Sequence, residues 1–287
     1  MPAAVAYEKT LKPGQVETAL DLAFFRPVAY GLVRLALPTP LTANGMTALS
    51  IAAGLAGAVL LRFDTPQATL AAAGLMIAYG VLDCADGQLA RARGTSSRLG
   101  RILDGASDYV VGVASGATIA LRLADAMGPA GAWLAAGGLA SILVQGTLFD
   151  HFKNRYLSRS GASYREGDDL DETLAAIEQL RREHAGAVPI ALHRVYATFL
   201  RVQRALGGGA GGAREGAFDA AAYKERLAPI ARGWAYLGPS THVVLLAAFA
   251  CAGQLPAYVW LRLTAGNAAM LGLFLEQRRR ERDVAQH

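Results

Sequence analysis

ATLAAAGLMIAYGVLDCADGQLARARGTSSRLGRILDGASDYVVGVASGATIALR, residues 68–122, decides the fold. Two largely apolar runs, 68–91 and 101–122, flank a short basic connection. The hydrocarbon layer of a bilayer is roughly 30 Å thick and a helix rises about 1.5 Å per residue, so about 20 apolar residues are enough to cross it. Both runs meet that test, although each carries two aspartates near the basic connection.

The same test applied outward finds four more segments, at 42–63, 129–150, 232–253 and 255–275. Composition agrees: 53% of the 287 residues are apolar and the mean hydropathy is +0.27, oilier than is usual for a soluble domain of this size. Small residues such as Ala52, Ala53, Gly54, Ala56 and Gly57 recur inside the runs, which lets membrane helices approach closely. Residues 1–23 are too polar for a secretory signal, and 24–37 is interrupted by Arg26, Pro27 and Arg34. That stretch reads as a helix lying on the membrane surface. The expected fold is all-α: a polytopic membrane protein with six transmembrane helices and an N-terminal juxtamembrane helix.

Charge sets the expected orientation. The connections at 64–67, 123–128 and 254 carry almost no positive charge, whereas RARGTSSRLGR, HFKNRYLSR and QRRRER are strongly basic. Short basic loops stay in the cytoplasm, so both termini are expected there. The net charge of +5 then gathers on one face, where it suits anionic head groups or a phosphorylated substrate better than nucleic acid. Cys84 and Cys251 give neither a disulfide framework nor a thiolate metal site.

The chain therefore divides into a cytoplasmic N-terminus with its juxtamembrane helix (1–41), four spans carrying the acidic motif (42–150), a cytoplasmic insertion (151–228), two further spans (229–275) and a basic tail (276–287). Within the insertion, Leu170, Leu174, Ile177 and Leu180 recur at helical spacing, and Val195, Tyr196, Phe199 and Gln203 mark a second helical stretch after Pro189. The glycine run at 207–212 lacks the Lys and Ser/Thr of a phosphate-binding P-loop and reads as a linker.

Chemistry concentrates at 82–112. Asp83 and Asp86 stand three apart, Asp104 and Asp108 four apart, so each pair shares a helix face. Gly87 and Ala90 fall on the side of Asp83, and Gly100 lies one turn before Asp104, leaving room beside the acids. Asp83 precedes Arg91 by about 12 Å of helix, a depth at which an ionised carboxylate is costly unless compensated. Arg91, Arg93, Arg98 and Arg101 could compensate by ion pairing. All-oxygen ligands without His or Cys suit Mg²⁺ or Mn²⁺ instead, and two ions about 3.5 to 4 Å apart are a recurrent solution for displacement at phosphorus.

These residues resemble the CDP-alcohol phosphotransferase family, whose signature is D-x2-D-G-x2-A-R-x8-G-x3-D-x3-D; every fixed position from Asp83 to Asp108 is present. TPLTANGMT, 39–47, is similar to the family's entry into the first span, with Ala43 where the family often has proline and Asn44 and Thr47 in step. The resemblance implies a homodimeric six-helix enzyme in the membrane that cleaves a CDP-linked donor and releases CMP. It implies metal binding by Asp83, Asp86 and Asp104, with Asp108 as general base on the acceptor hydroxyl and a further metal contact. Gly87, Ala90, Arg91, Gly100, Asn44 and Thr47 would border the nucleotide and its phosphates.

Outside the motif, Lys153, Arg155 and Arg232 sit at expected cytoplasmic helix ends, where they either receive a phosphate on the acceptor or anchor the surface. Arg262 lies inside the sixth span, either functional or snorkelling outward, and Asn267 faces away from it. His242, near Ser240 and Thr241, has no second nitrogen ligand at useful spacing and reads as a bonded core residue. The favoured reaction moves a phosphate-linked group from CDP-diacylglycerol to a small polar alcohol in phospholipid synthesis. The reverse assignment, a CDP-linked head group given to a lipid alcohol or to an inositol phosphate, fits 82–112 equally well. An intramembrane prenyltransferase would place its acidic motifs in separate halves of the chain, and a cation transporter would spread its acids through the bilayer.

Overall fold

The computed structural model describes residues 6–12, 14–95, 98–161, 169–207 and 219–285. Among them there is no strand. A 3₁₀ turn at Tyr7–Thr10, another at Gly14–Val16 and a π-helical turn at Asp21–Phe25 lead into α1, Arg26–Ala36. Four long helices follow: α2 (Ala43–Leu60), α3 (Pro66–Arg93), α4 (Arg98–Met127) and α5 (Pro129–Arg159). Then come α6 (Leu170–Arg182) and α7 (Ala187–Leu206), α8 (Ala220–Ala235) and α9 (Pro239–Cys251). Last are α10 (Leu255–Leu261), a π-helical turn at Arg262–Gly266 and α11 (Asn267–Ala285).

Among the described residues, six helical stretches are long and apolar enough to cross a membrane: α2, α3, Ile102–Met127 of α4, α5, Ala220–Cys251 and Leu255–Val284. Fewer than half of the residues in each apolar window are buried within the chain. Side chains such as Leu49, Val59, Leu70, Trp133, Trp260 and Leu275 face outward, as a lipid solvent requires.

Helix ends follow local chemistry. Thr42 and Thr65 cap α2 and α3 by accepting the N–H of Gly45 (3.1 Å) and Ala68 (3.2 Å). Gly94, at φ +64°, stops α3 in the left-handed region, where a side chain is disfavoured. The helices nonetheless outrun the apolar segments expected at 101–122, 129–150 and 232–253. Backbone hydrogen bonding continues through Lys, Arg and Gln, which are good helix formers in water, so the end of an oily run is not the end of a helix.

The bundle centre packs Met76, Tyr79, Val111, Ile119, Leu246 and Tyr258. Gly54 brings α2 against α4 there: a Cβ on Gly54 would stand 2.6 Å from Val111 Cγ2. A second cluster joins α5 to α8 through Phe152, Tyr156, Tyr223, Leu227 and Trp234, with Phe152 stacked on Trp234 at 4.8 Å. A third seats α1 on α3 through Phe25, Ala29, Val33, Val81 and Leu89, while Val28 and Leu35 stay exposed on the opposite side of α1.

Arg26, which breaks the apolar pattern before α1, is buried against α3. Its Nε meets Glu17 Oε1 at 2.9 Å, and Gln88 Nε2 donates to its carbonyl at 3.2 Å. Burial raises the Glu17 carboxyl above its ordinary value near 4.5, and Arg26 pulls it partly back. In the insertion, α6 starts on a capping box between Asp169 and Glu172 and packs along α7. The glycines at 208–212 lie outside the described residues.

Candidate metal and transfer site

The acidic motif straddles the α3–α4 connection, and both helices present their carboxylates to one space. One ligand oxygen each from Asp83, Asp86 and Asp104 lies within 4.8 Å of the others. Asp86 is 3% exposed, and Asp83 and Asp104 are half-buried. Ionised carboxylates at that separation repel one another, and partial burial weakens the screening that water would give. A small hard cation relieves both, and an all-oxygen donor set suits Mg²⁺ or Mn²⁺.

Neighbours fix these acids. The Thr47 hydroxyl on α2 lies 2.5 Å from Asp86 Oδ2. Ser107 Oγ bonds the Asp104 carbonyl at 2.6 Å and stands 3.3 Å from Asp83 Oδ1. The Tyr79 hydroxyl, one turn before Asp83 on α3, donates to Asp108 Oδ1. Such outer contacts orient ligand oxygens and hold them when the site is loaded.

Beyond the acids opens a cavity of about 120 Å³. Asp83, Asp104, Gly105 and Asp108 form one wall; Lys153 and Asn154 of α5 form another. Lys12, Glu17, Asp21 and Arg26 close it from the N-terminal segment, and Tyr196, Phe199 and Gln203 of α7 close it from the insertion. Phe199 meets the Tyr109 ring edge-on at 5.0 Å, which locks α7 over α4.

Residues 40–162, from just before α2 to just after α5, match the family model described as CDP-alcohol phosphatidyltransferase. Over that stretch the chain is similar to CDP-alcohol phosphatidyltransferases. Members of this family are membrane-embedded transferases of substituted phosphate groups, generally dependent on divalent metals, that take a CDP-alcohol as donor and an alcohol as acceptor. A comparison with curated proteins found no match.

Gly87, Ala90, Arg91, Gly100, Asn44 and Thr47, which the resemblance sets beside the nucleotide, are not among the residues that line this cavity. Arg91 sends its Nε to the Thr10 carbonyl at 2.7 Å, and its guanidinium lies over Gly87, where a Cβ would meet Nη1 at 3.2 Å. Ala90 accepts the Thr95 N–H at 3.0 Å in the turn that ends α3. Arg93 turns away to the carbonyls of Leu41 (2.5 Å), Thr39 (2.9 Å) and Ala36 (3.0 Å), tying α3 to the end of α1. The side chains of Arg98 and Arg101 lie outside the described set. Asn44 is exposed in the first turn of α2, and Gly100 is half-buried in the first turn of α4.

Of the three basic acceptor candidates, Lys153 alone lines the cavity; it bonds Asp150 Oδ1 at 2.9 Å and covers the Phe149 ring. Arg155 pairs with Glu281 of α11 at 2.9 Å, and Arg232 is exposed on α8. His242 bonds the Tyr258 hydroxyl. Asn267 donates to Ser141 Oγ at 2.9 Å and accepts from Gln145 Nε2 at 2.8 Å.

Tyr79, Ser107 and Lys12 were not singled out in the sequence, and Tyr196, Phe199 and Gln203 of α7 were read there only as part of a helical stretch, not as site residues. Tyr79 had a signal, because it sits four residues before Asp83 on the same helix face. The approach of Lys12 and α7 to the site had none, since it depends on how separate segments dock.

Proposed function

We propose that this chain is a divalent-metal-dependent transferase that moves a phosphate-linked group from a CDP-activated lipid, CDP-diacylglycerol, to an alcohol and releases CMP at the cytoplasmic face of the membrane. The observation that carries this reading is the convergence of Asp83, Asp86 and Asp104 within 4.8 Å, in a domain matched to a family that uses CDP-alcohol donors. The basic connections at the same end of the bundle support the cytoplasmic placement. A homodimer follows from the resemblance alone.

In this reading Asp83, Asp86 and Asp104 hold the cation, kept in place by Thr47 and Ser107. A bound divalent ion supplies positive charge against the charge that builds on the leaving CMP. Asp108, held by Tyr79 at the edge of the same cavity, takes the proton of the acceptor hydroxyl, a step worth about 10² to 10⁴ in rate. The acceptor oxygen then forms its bond to the donor phosphorus distal to cytidine. The bond from that phosphorus to the bridging oxygen breaks, and its electron pair leaves with CMP. Arg91, Gly87, Ala90, Gly100, Asn44 and Thr47 border the nucleotide, and Lys153 is the basic side chain placed to meet the acceptor.

The test is CMP release by the purified protein in lipid nanodiscs with Mg²⁺, CDP-diacylglycerol and a panel of alcohols. Release that requires both the metal and one acceptor supports the reading, and EDTA abolishes it. Absence of release with every acceptor contradicts CDP-diacylglycerol as donor.

A further inference from the structure

Behind Asp108, deeper in the bundle, lies a second cavity of about 60 Å³. It shares Asp108, Phe149 and Asp150 with the cavity of acids, and α9 and the sixth span close its far side. Most of its wall is apolar, built from Met76, Val111, Ile142 and Leu246. Among the polar side chains in its wall, Arg262 and Ser115 carry buried polar atoms without a hydrogen-bond partner.

Arg262 is 3% exposed, and its Nε and Nη2 are buried with no hydrogen-bond acceptor. Ser115, also 3% exposed, has a buried hydroxyl without a partner. Both line this cavity. The other polar groups there are taken: Asp108 accepts from Tyr79, Asp150 from Lys153, and His242 is bonded to Tyr258. Arg262 therefore does not snorkel to the interface, as an arginine near a helix end can.

Its backbone is adapted to this position. Arg262 opens the π-helical turn Arg262–Gly266, and Gln145 Nε2 donates to the Arg262 carbonyl at 3.2 Å. Single π-turns in helices are frequent at functional sites. A guanidinium held at membrane depth without a counter-charge is costly, and such residues mark substrate paths.

We propose that this cavity is an anion subsite, in which Arg262 and Ser115 hold a phosphate or carboxylate carried by the acceptor alcohol whose hydroxyl lies at Asp108. The inference rests on Asp108 acting on the acceptor, as argued above. The volume admits a group the size of about four waters and excludes an acyl chain. A guanidinium donating two parallel N–H groups is the side chain best matched to an oxyanion.

The test uses the protein in nanodiscs with Mg²⁺ and CDP-diacylglycerol. Acceptors are offered as sets: glycerol, glycerol 3-phosphate and glycerate, with inositol and inositol 1-phosphate beside them. CMP release is expected with an anionic member only, and its identity separates phosphate from carboxylate. Arg262→Gln should raise the KM for that acceptor about ten- to a hundredfold, the size of a lost charge-assisted hydrogen bond, while kcat changes far less. Arg262→Lys should recover part of the loss, and Ser115→Ala should raise KM severalfold; Mg²⁺-dependent CDP binding reports that each variant is folded. Equal turnover of neutral and anionic members, or an unchanged KM in Arg262→Gln and Ser115→Ala, overturns the proposal. If CMP is released only with uncharged acceptors, the subsite falls and the donor reading stands. If CDP does not bind, both fall.

Discussion

Thr47 on α2 and Asp86 on α3 meet through a hydroxyl–carboxylate contact of 2.5 Å, so the first span braces an acid carried by the second. Asp86 is the most buried of the acids whose oxygens converge, and the contact fixes which of its lone pairs remain for a cation. The shape of the site therefore depends on a helix that carries none of the aspartates.

Replacing Thr47 by Val keeps the shape and removes the donor. The Mg²⁺ concentration for half-maximal CMP release should rise about 10- to 100-fold, the usual effect of losing an outer-shell partner of a metal ligand. Thr47→Ser should stay near wild type. An unchanged Mg²⁺ dependence in the valine variant would remove Thr47 from the site.

Asp108 and Tyr79 should separate along the reaction. Asp108→Asn is expected to lower kcat by about 10² to 10⁴ and to spare CDP binding. Tyr79→Phe keeps the carboxylate but loses the hydroxyl that orients it, and kcat should fall by about tenfold, the size of one net hydrogen bond. Single-turnover CMP release beside CDP affinity gives the comparison.

Packing at Gly54 controls how α4 sits. With Val111 Cγ2 only 2.6 Å from where a Cβ would go, Gly54→Ala should cost about 1 to 3 kcal/mol. Because Val111 is one turn from Asp108, turnover should fall as well. The double variant Gly54→Ala with Val111→Ala should recover both the thermal midpoint and the rate; failure to recover would place the strain elsewhere.

The N-terminal segment should carry a pH dependence of stability. Burial raises the Glu17 carboxyl above its ordinary 4.5 despite Arg26. Between 4.5 and the raised native value the folded chain keeps a proton that the unfolded chain has released, so stability falls as pH rises through that window. Thermal midpoints in detergent should show wild type losing ground to Glu17→Gln across it. A constant difference between the two proteins would contradict the shift.

Much of this was legible in the sequence for physical reasons. Lipid demands long apolar helices, so the six spans follow from run length alone, and a fixed spacing of Asp83, Asp86, Asp104 and Asp108 fixes which helix faces they share. Position along one helix was readable; docking between distant segments was not. Tyr196, Phe199 and Gln203 looked like one side of a surface helix, yet they roof the cavity because Phe199 packs on Tyr109. In the sequence Arg91 stood beside the expected nucleotide, Arg93 was a possible ion-pair partner of the aspartates, and Arg155 was either a phosphate contact or a surface anchor. Arg91 spends its Nε on the Thr10 carbonyl, Arg93 binds the end of α1 and Arg155 binds Glu281. Guanidinium groups reach far enough that sequence position says little about which carbonyl or carboxylate they will find.

The central claim is that Asp83, Asp86 and Asp104 hold a divalent cation. Mn²⁺ titration of the detergent-solubilised protein, followed by the loss of the free-ion paramagnetic resonance signal, tests it without any assumption about substrate. The account predicts saturable Mn²⁺ binding that Mg²⁺ displaces, weakened in each of Asp83→Asn, Asp86→Asn and Asp104→Asn. Equal Mn²⁺ affinity in wild type and all three variants, or no bound Mn²⁺ in wild type, would contradict it.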